Sequence, residues 1–331
     1  MRYNIAKALD FIVSRQNADG SFATYELYPI VMPDRDWTEL PDPSPFITAN
    51  ILYSLMQAKN NLATGAIKKG IENLWASKER DGYWRFWPLK SKQHPVPFDM
   101  DDTCLCSFIL EKNGYRLSNK SILLNNKNAA GYFKTWLTPN FKTAITNPVF
   151  SFGLAQDCIA SMPTVRAGDF MFNDYEPAVA ANALLYLGDN ENTSNCLQLV
   201  IDEIQNNTMP LQFYADEIIV YYHIARACVN GVKGLGVLKN IIVERLKNRF
   251  NNTNQNVLLT LMAANVLLDF NAEIILAEQL IDSVAANEMC PYQWKCVSYF
   301  ASKNRNFLAG SPELTAALFV EACSKFNQRS L

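Results

Sequence analysis

Five consecutive residues, Asp99-Met100-Asp101-Asp102-Thr103, put three carboxyl groups into four positions. In a site shielded from water three such groups cannot all ionise, and at least one keeps its proton. The run leads into the apolar stretch Cys104 to Leu110, so it reads as the first turn of a helix. There the positive end of the helix dipole favours the carboxylate left when a proton departs. Such an acid is neutral at rest and willing to donate its proton to a weak base. Taken alone, an acidic triplet at a helix start is an ordinary cap. Its surroundings decide between the two readings.

Those surroundings are rich in aromatic residues, whose faces stabilise cations. Trp84, Phe86, Phe98, Phe152, Tyr175, Tyr214 and Trp294 are the candidates for contact with a substrate, and Trp87, Phe150, Phe170, Phe172, Tyr292 and Tyr299 extend the set. Any one of them alone reads as ordinary packing. Of the two histidines, His223 falls in an apolar helical pattern and reads as a satisfied core residue, and His94 lies in a loop.

The elements that must hold these residues repeat along the chain. Six segments begin with a small, acidic or Pro residue and run on as apolar helices, starting near Pro45, Asp101, Glu176, Tyr214, Gln255 and Ser311. Ser, Asp, Asn and Pro satisfy or remove the orphan N–H groups of a first turn. Between them lie amphipathic segments, from Tyr3 to Ser14, Leu62 to Ser77, Asn128 to Leu137, Thr193 to Asn206, Val232 to Arg249 and Ala272 to Ala286. A helix apolar all round wants burial on every side, and an amphipathic one wants a wall on one side. Two concentric rings meet both demands and predict an all-α (α/α)6 barrel over residues 1–331, although periodicity alone also permits a helical bundle. No alternating segment is long enough to predict a sheet. Long loops are expected at about Phe22 to Ser44, Tyr83 to Phe98 and Thr138 to Tyr175.

Composition narrows the classes. The chain has 331 residues, 49% of them hydrophobic, which is enough for a large core. A net charge of −2 argues against a nucleic-acid partner. No apolar run reaches the roughly 18 residues of a membrane span. Met1 to Asn4 lead straight into a periodic helix, so no secretory leader is expected. The eight cysteines contain no C-x-x-C pair, and several sit inside apolar helical patterns, so reduced thiols and a cytoplasmic location are expected.

Two motifs carry a family resemblance. Gln16-Asn17-Ala18-Asp19-Gly20-Ser21-Phe22 resembles the Gln-x-x-Asp-Gly-Ser-Trp repeat of the terpene cyclase and protein prenyltransferase superfamily, and Asp81-Gly82-Tyr83-Trp84 resembles a weaker copy. In that superfamily the motif ties an outer helix to the next loop. The run Asp99 to Thr103 is similar to the Asp-x-Asp-Asp-Thr signature of class II terpene cyclases such as squalene–hopene cyclase and the copalyl diphosphate synthases. The resemblance covers essentially the whole chain as one β-type barrel. It implies isoprenoid chemistry: cyclisation of a polyprenyl substrate through a carbocation, with Asp101 as general acid and Asp99 and Asp102 as its supports. The Asp-Asp-x-x-Asp run of metal-dependent ionisation is absent, so no cofactor is expected, and magnesium only if the substrate is a diphosphate. A diphosphate would need cations at the mouth, for which Arg85, Lys90, Lys92, Arg166 and Lys295 are candidates.

The chain departs from that family in three places. Class II cyclases bury the site between two helical domains, and one barrel leaves open whether the long loops or a homodimer cover the pocket, or nothing does; contact with a membrane surface is a further expectation. The His that meets the acid in hopene cyclases has no counterpart between Phe150 and Tyr175, leaving Arg166, Asp157 or a water. Cys104 follows Thr103 where Ala is usual. Two rival readings follow. Asp102-Thr103-Cys104 resembles half of the zinc site of prenyltransferase β subunits, which His223 could complete, although it lies roughly nine residues inside its helix, ~13 Å along the axis. The other rival is a non-catalytic toroid that binds a lipid or a protein.

Overall fold

A computed structural model of the chain describes residues 3–40, 42–80, 82–88, 96–252, 256–286 and 294–329. Asp81, Lys90, Lys92, His94, Gln255 and Tyr292 lie outside the described residues.

Six helices form an inner ring: α2 (Pro45–Gln57), α4 (Met100–Lys112), α9 (Pro177–Leu187), α11 (Glu217–Val229), α13 (Val257–Asp269) and α15 (Pro312–Arg329). Each packs on the next, and α15 returns to α2, so the ring closes. These helices are buried on nearly every side, which is why their sequences are largely apolar. Their starts use the expected caps: Ser44, Asp99, Asp216 and Asn256 each accept a backbone N–H of the first turn.

The outer ring contains α1 (Ala6–Ser14), α3 (Asn61–Ser77), α5 (Lys120–Leu124), α10 (Ser194–Asn206), α12 (Lys239–Asn252) and α14 (Ile274–Ala285). Helices α1, α3, α10, α12 and α14 pack on the inner ring. A 3-10 turn, Lys233–Leu238, precedes α12. The chain is an α/α toroid. Among the described residues no helix is long and apolar enough to cross a membrane.

Three expectations are corrected. Residues 128–137 are not helical, and the third outer position is taken by the short α5. Gly131, at φ +95, turns the chain, and Lys127 and Asp99 form β-bridges to Phe133 and Trp136. The apolar spacing there serves burial of Phe133, Trp136 and Leu137 in an irregular segment. The expected loop from Thr138 to Tyr175 holds three helices, α6 (Phe141–Thr146), α7 (Pro148–Ala160) and α8 (Met162–Arg166). A small antiparallel sheet also exists, ordered β2-β1-β4-β3, from β1 (Tyr25–Leu27), β2 (Thr38–Glu39), β3 (Ser298–Ala301) and β4 (Leu308–Gly310). Its strands have at most four residues, too short for alternation to show in sequence.

The repeat motif is a clamp between layers. Gln16 Nε2 donates to Gly20 O and to Ala66 O in α3, both at 2.9 Å. Asp19 accepts from the Ser21 backbone N–H and hydroxyl. Gly20 has φ +91, and a Cβ there would stand 2.2 Å from the carbonyl oxygen of Lys69, so only glycine fits. In the weaker copy, Trp84 Nε1 donates to Leu74 O of α3.

The loops that lead into the inner helices are hydrogen-bonded to one another. Met100 N–H donates to Thr135 O, Thr135 N–H to Asp174 O, Ala301 N–H to Phe213 O and Lys303 N–H to Asp169 O. Backbone bonds thus join the loops at this end of the barrel to one another.

Candidate active site

Asp99 is the N-cap of α4, and its Oδ1 accepts the Asp101 N–H at 2.8 Å. Thr103, one turn on, bonds both the backbone N–H and the carbonyl of Trp84, tying the acidic turn to the loop beside it. The Asp101 carboxyl is held from two sides: Asn182 Nδ2 donates to Oδ1, and the Tyr214 hydroxyl donates to Oδ2. Asn182 comes from α9 and Tyr214 from the loop before α11, so three neighbouring inner positions converge on one carboxyl group.

Each partner is itself positioned. Glu176 accepts the backbone N–H groups of Phe213, at 2.8 Å, and Tyr214, at 3.2 Å, and so fixes the turn that carries Tyr214. Arg226 of α11 donates Nη2 to Asn182 Oδ1 at 2.6 Å and Nη1 to Asn50 Oδ1 at 2.9 Å. With its oxygen so engaged, the Asn182 amide turns its N–H to Asp101. Arg226 is fully buried among Tyr53 and Tyr222. His223 stands beside this network, with Nδ1 3.3 Å from Ala178 O and Nε2 2.6 Å from the Tyr299 hydroxyl.

Burial sets the electrostatics. All three aspartates are buried. Loss of water raises the Asp101 pKa to about 6, and the bonds from Tyr214 and Asn182 and the charge of Arg226 limit the rise. Asp99 is raised well above its ordinary value by burial and by the neighbouring Asp101. Asp102 is raised likewise by burial, then by Asp99 and Asp101, and its Oδ2 has no hydrogen-bond partner. Burial pushes Glu176 up to about 8, and burial with the charge of Arg226 holds His223 well below its ordinary value.

Above this cluster lies a pocket of about 720 Å³. Its aromatic walls are Tyr28, Trp87, Trp136, Phe170, Phe213, Phe300 and Phe307. Its ionisable walls among the described residues are Glu26, Glu39, Asp169 and Arg35, and Arg35 pairs with Glu26 at 3.3 Å. The acid is one residue behind the floor: Trp136 is bridged to Asp99, Phe213 precedes Tyr214, and Tyr214 meets Phe300 edge-on at 6.1 Å.

The expected aromatic set is scattered. Tyr214 touches Asp101. Phe86 stacks under the floor on Phe300 at 4.8 Å. Trp84 is packed toward α3, Phe98 lies against Phe150 and Arg85, and Trp294 lies against Phe319. Tyr175 stacks on Tyr132 at 4.2 Å. Phe152 is 65% exposed on α7. Of the wider set Trp87 and Phe170 do line the pocket, whereas Trp136, Phe213, Phe300 and Phe307 were not read from sequence. Arg85 is buried in pairs with Glu79 and Asp157, and Arg166 and Lys295 are exposed outside the pocket wall. Neither Arg166 nor Asp157 meets the acid; Asn182 and Tyr214 occupy both of its oxygens. Among the described residues no three His, Cys, Asp or Glu side chains converge as metal ligands, and His223 points at Ala178 and Tyr299 rather than Cys104.

No protein-family model and no curated protein matches the sequence. Solved structures do. A protein from Actinoplanes superposes with a TM-score of 0.71 at 13% identity, over 98% of both chains. The type II terpene cyclase MstE from Scytonema superposes with a TM-score of 0.64 at 11% identity, over 98% of this chain and 97% of that one. The ent-copalyl diphosphate synthase from Streptomyces platensis gives 0.54 at 13% identity, over 86% of this chain and 50% of that one. These likenesses show that this chain has the fold of terpene cyclases.

Proposed function

We propose that the protein is a type II, protonation-initiated terpene cyclase with Asp101 as general acid and Asp99 and Asp102 as its supports. The carrying observation is the setting of Asp101: a buried carboxyl between two other buried carboxyls, held by Tyr214 and Asn182 below an aromatic pocket. The structural likeness to MstE supports it, because that cyclase matches along almost its whole chain.

In the proposed reaction Asp101 gives its proton to a terminal alkene carbon of an apolar polyene. A C–H bond forms, the alkene π pair is consumed, and a tertiary cation remains. Successive internal alkenes attack that cation and close rings, each passing the positive charge along the chain. Loss of a proton to a base, or capture of a water oxygen followed by proton loss, ends the sequence. Asp101 regains its proton from solvent. The Tyr214 and Asn182 donors favour the carboxylate left behind. Asp99 and Asp102, kept neutral by burial, add no negative charge to oppose its formation. The aromatic faces of the pocket stabilise the moving cation.

One observation favours a second reading, a toroid that holds an apolar ligand without reacting. The rings of Tyr214 and Phe300 lie between the pocket and Asp101. Incubation with squalene, prenyl diphosphates and prenylated aromatics, followed by mass spectrometry, decides. Cyclised product from the wild type and none from Asp101→Asn supports the cyclase. Product that survives Asp101→Asn removes the mechanism, and saturable binding with no product establishes the second reading.

A further inference from the structure

The centre of the barrel holds charges that the proposed proton transfer does not use. Arg226 of α11 is fully buried, yet its hydrogen-bond acceptors are the neutral amides of Asn182 and Asn50, and its Nε has none. A buried cation needs an opposite charge near it. That charge stands on α15. Glu321 Oε2 accepts from the Tyr222 hydroxyl at 2.8 Å and from the Ser54 hydroxyl at 2.6 Å. The guanidinium of Arg226 lies 5.2 Å from the centre of the Tyr222 ring and 5.1 Å from that of Tyr53. One phenol thus meets the cation with its face and the carboxylate with its hydroxyl. Burial, and then the charge of Glu321, hold the Tyr222 hydroxyl well above its ordinary pKa, so it stays a donor.

Glu321 is balanced in turn. Lys325, one turn on, meets its Oε1 at 2.6 Å and Asp269 of α13 at 2.7 Å. Among the described residues this network therefore joins two cations, Arg226 and Lys325, to two carboxylates, Glu321 and Asp269. Their charges cancel while Asp101 keeps its proton. The links run between helices: α11 to α15 through Tyr222, α11 to α9 and α2 through Arg226, α13 to α15 through Lys325. The other titratable groups facing them are neutral, because burial raises the Tyr53 and Tyr299 hydroxyls and lowers His223. Around Asp101 itself burial raises Asp99, Asp102, Cys104, Glu176 and Tyr214. Beyond Asp269 stand Cys228 and Arg329.

We propose that Glu321 and Lys325 are positioning residues for Asp101, acting through Tyr222, Arg226 and Asn182. Arg226 polarises the Asn182 amide, whose N–H meets Asp101. An unanswered guanidinium would draw the proton off Asp101 before a substrate arrives. Glu321 offsets part of that charge and leaves Asp101 able to hold its proton until it is needed. Lys325 limits Glu321 in the same way, since a bare carboxylate there would overcompensate. The plainer use of such groups is an ion pair that only fills the core. That use would be complete with Lys325 and Asp269. Glu321 instead turns one oxygen to Lys325 and the other to the phenol that lies on Arg226. The role in turnover rests on the cyclase reading; the charge coupling to Asp101 does not.

The test reads the ionisation of Asp101 without turnover. The infrared carbonyl stretch of its protonated carboxyl is followed against pH in the full chain and assigned by its loss in Asp101→Asn. Glu321→Gln keeps acceptors for Tyr222 and Ser54 and removes the charge. It should move the Asp101 midpoint down by about half a unit to one unit, opposite in sign to Arg226→Met. Glu321→Asp restores the charge and should bring the midpoint back toward the wild type. If thermal unfolding shows that Glu321→Gln does not fold, Lys325→Gln carries the test with an upward shift of similar size. In a folded Glu321→Gln, an unmoved midpoint would leave Glu321 to packing and overturn the proposal. An upward shift would make it a mere prop for Arg226 and overturn it too. With a substrate that turns over, kcat of Glu321→Gln above the midpoint should fall roughly three- to tenfold at unchanged KM; a change in KM alone would contradict the role. Absence of product from every polyene removes the cyclase reading, while the infrared shift stands or falls on its own.

Discussion

Arg226 donates to the oxygen of Asn182 at 2.6 Å, and that contact decides which end of the amide meets Asp101. A free asparagine could turn either its oxygen or its nitrogen to the acid. Arg226 removes the choice, and its charge also holds down the proton affinity of Asp101. Arg226→Met removes both effects. Turnover is expected to fall about 10- to 100-fold. The limb of the pH profile controlled by Asp101 should move up by about one unit. A profile measured as kcat against pH checks this, and an unshifted limb with lowered kcat would assign Arg226 to packing alone.

The wild-type profile follows from the direction of the shift. Asp101 must carry its proton to donate it, and its pKa is raised to about 6. Activity should therefore be highest below that value and decline as pH rises through it. A profile that rises across the same window would make the ionised form the active one and exclude Asp101 as the acid.

Asp102 gives a prediction about stability. Its pKa is raised by burial and by two neighbouring carboxyls, so the folded state favours the protonated form. The stability it allows is fully present below its unfolded pKa and is lost as pH rises through the folded value. Asp102→Asn removes the titration. It should match the wild type in acid and exceed it at pH 8 by about 1–2 kcal/mol, roughly 2–6 °C in Tm. Thermal unfolding at the two pH values measures the difference.

Phe300→Ala opens the floor between the pocket and Tyr214. The cost in stability is expected to be about 2–4 kcal/mol. With water admitted nearer the cation, the ratio of alcohol to hydrocarbon products should rise, as product analysis by mass spectrometry would show. An unchanged ratio would place the cation elsewhere.

The head group is tested by charge. The ionisable pocket walls among the described residues are three carboxylates and Arg35, which is already paired. A polyene with a neutral head should have a kcat/KM roughly tenfold above that of its diphosphate. A chelator should leave turnover of the neutral substrate unchanged, and magnesium should assist only the diphosphate. Loss of neutral-substrate turnover on chelation would contradict this.

What the sequence made legible follows from which positions are constrained on every side. The inner helices could be read because burial all round favours long apolar runs, and Asp99 to Thr103 could be read because a cap and a carboxyl cluster are local. The partners of Asp101 were less accessible. Asn182 stands alone in the run Ala178 to Leu187, and Arg226 shares the run Ile218 to Val229 with His223, so each was visible as a polar residue in an apolar helix. That they meet depends on the rotation of α9 and α11 about their own axes, which no local pattern encodes. The pocket aromatics were harder still. Trp136 and Phe213 sit on irregular segments and Phe300 on the short strand β3, and their course is set by bonds between segments distant in sequence. Tyr175 and Phe152 share their composition but face other surroundings.

The ring closes where α15 returns to α2, and Glu321 accepts from Ser54 and from Tyr222 across that seam. Asp101 is translated about a third of the way along the chain, long before that closing helix exists. Until α15 is in place the ring lacks its contacts with α2 and α13. Burial in the closed ring withdraws solvent from Asp101 and raises its pKa to about 6. The raised proton affinity of Asp101 is therefore a property of the closed ring and not of its local sequence.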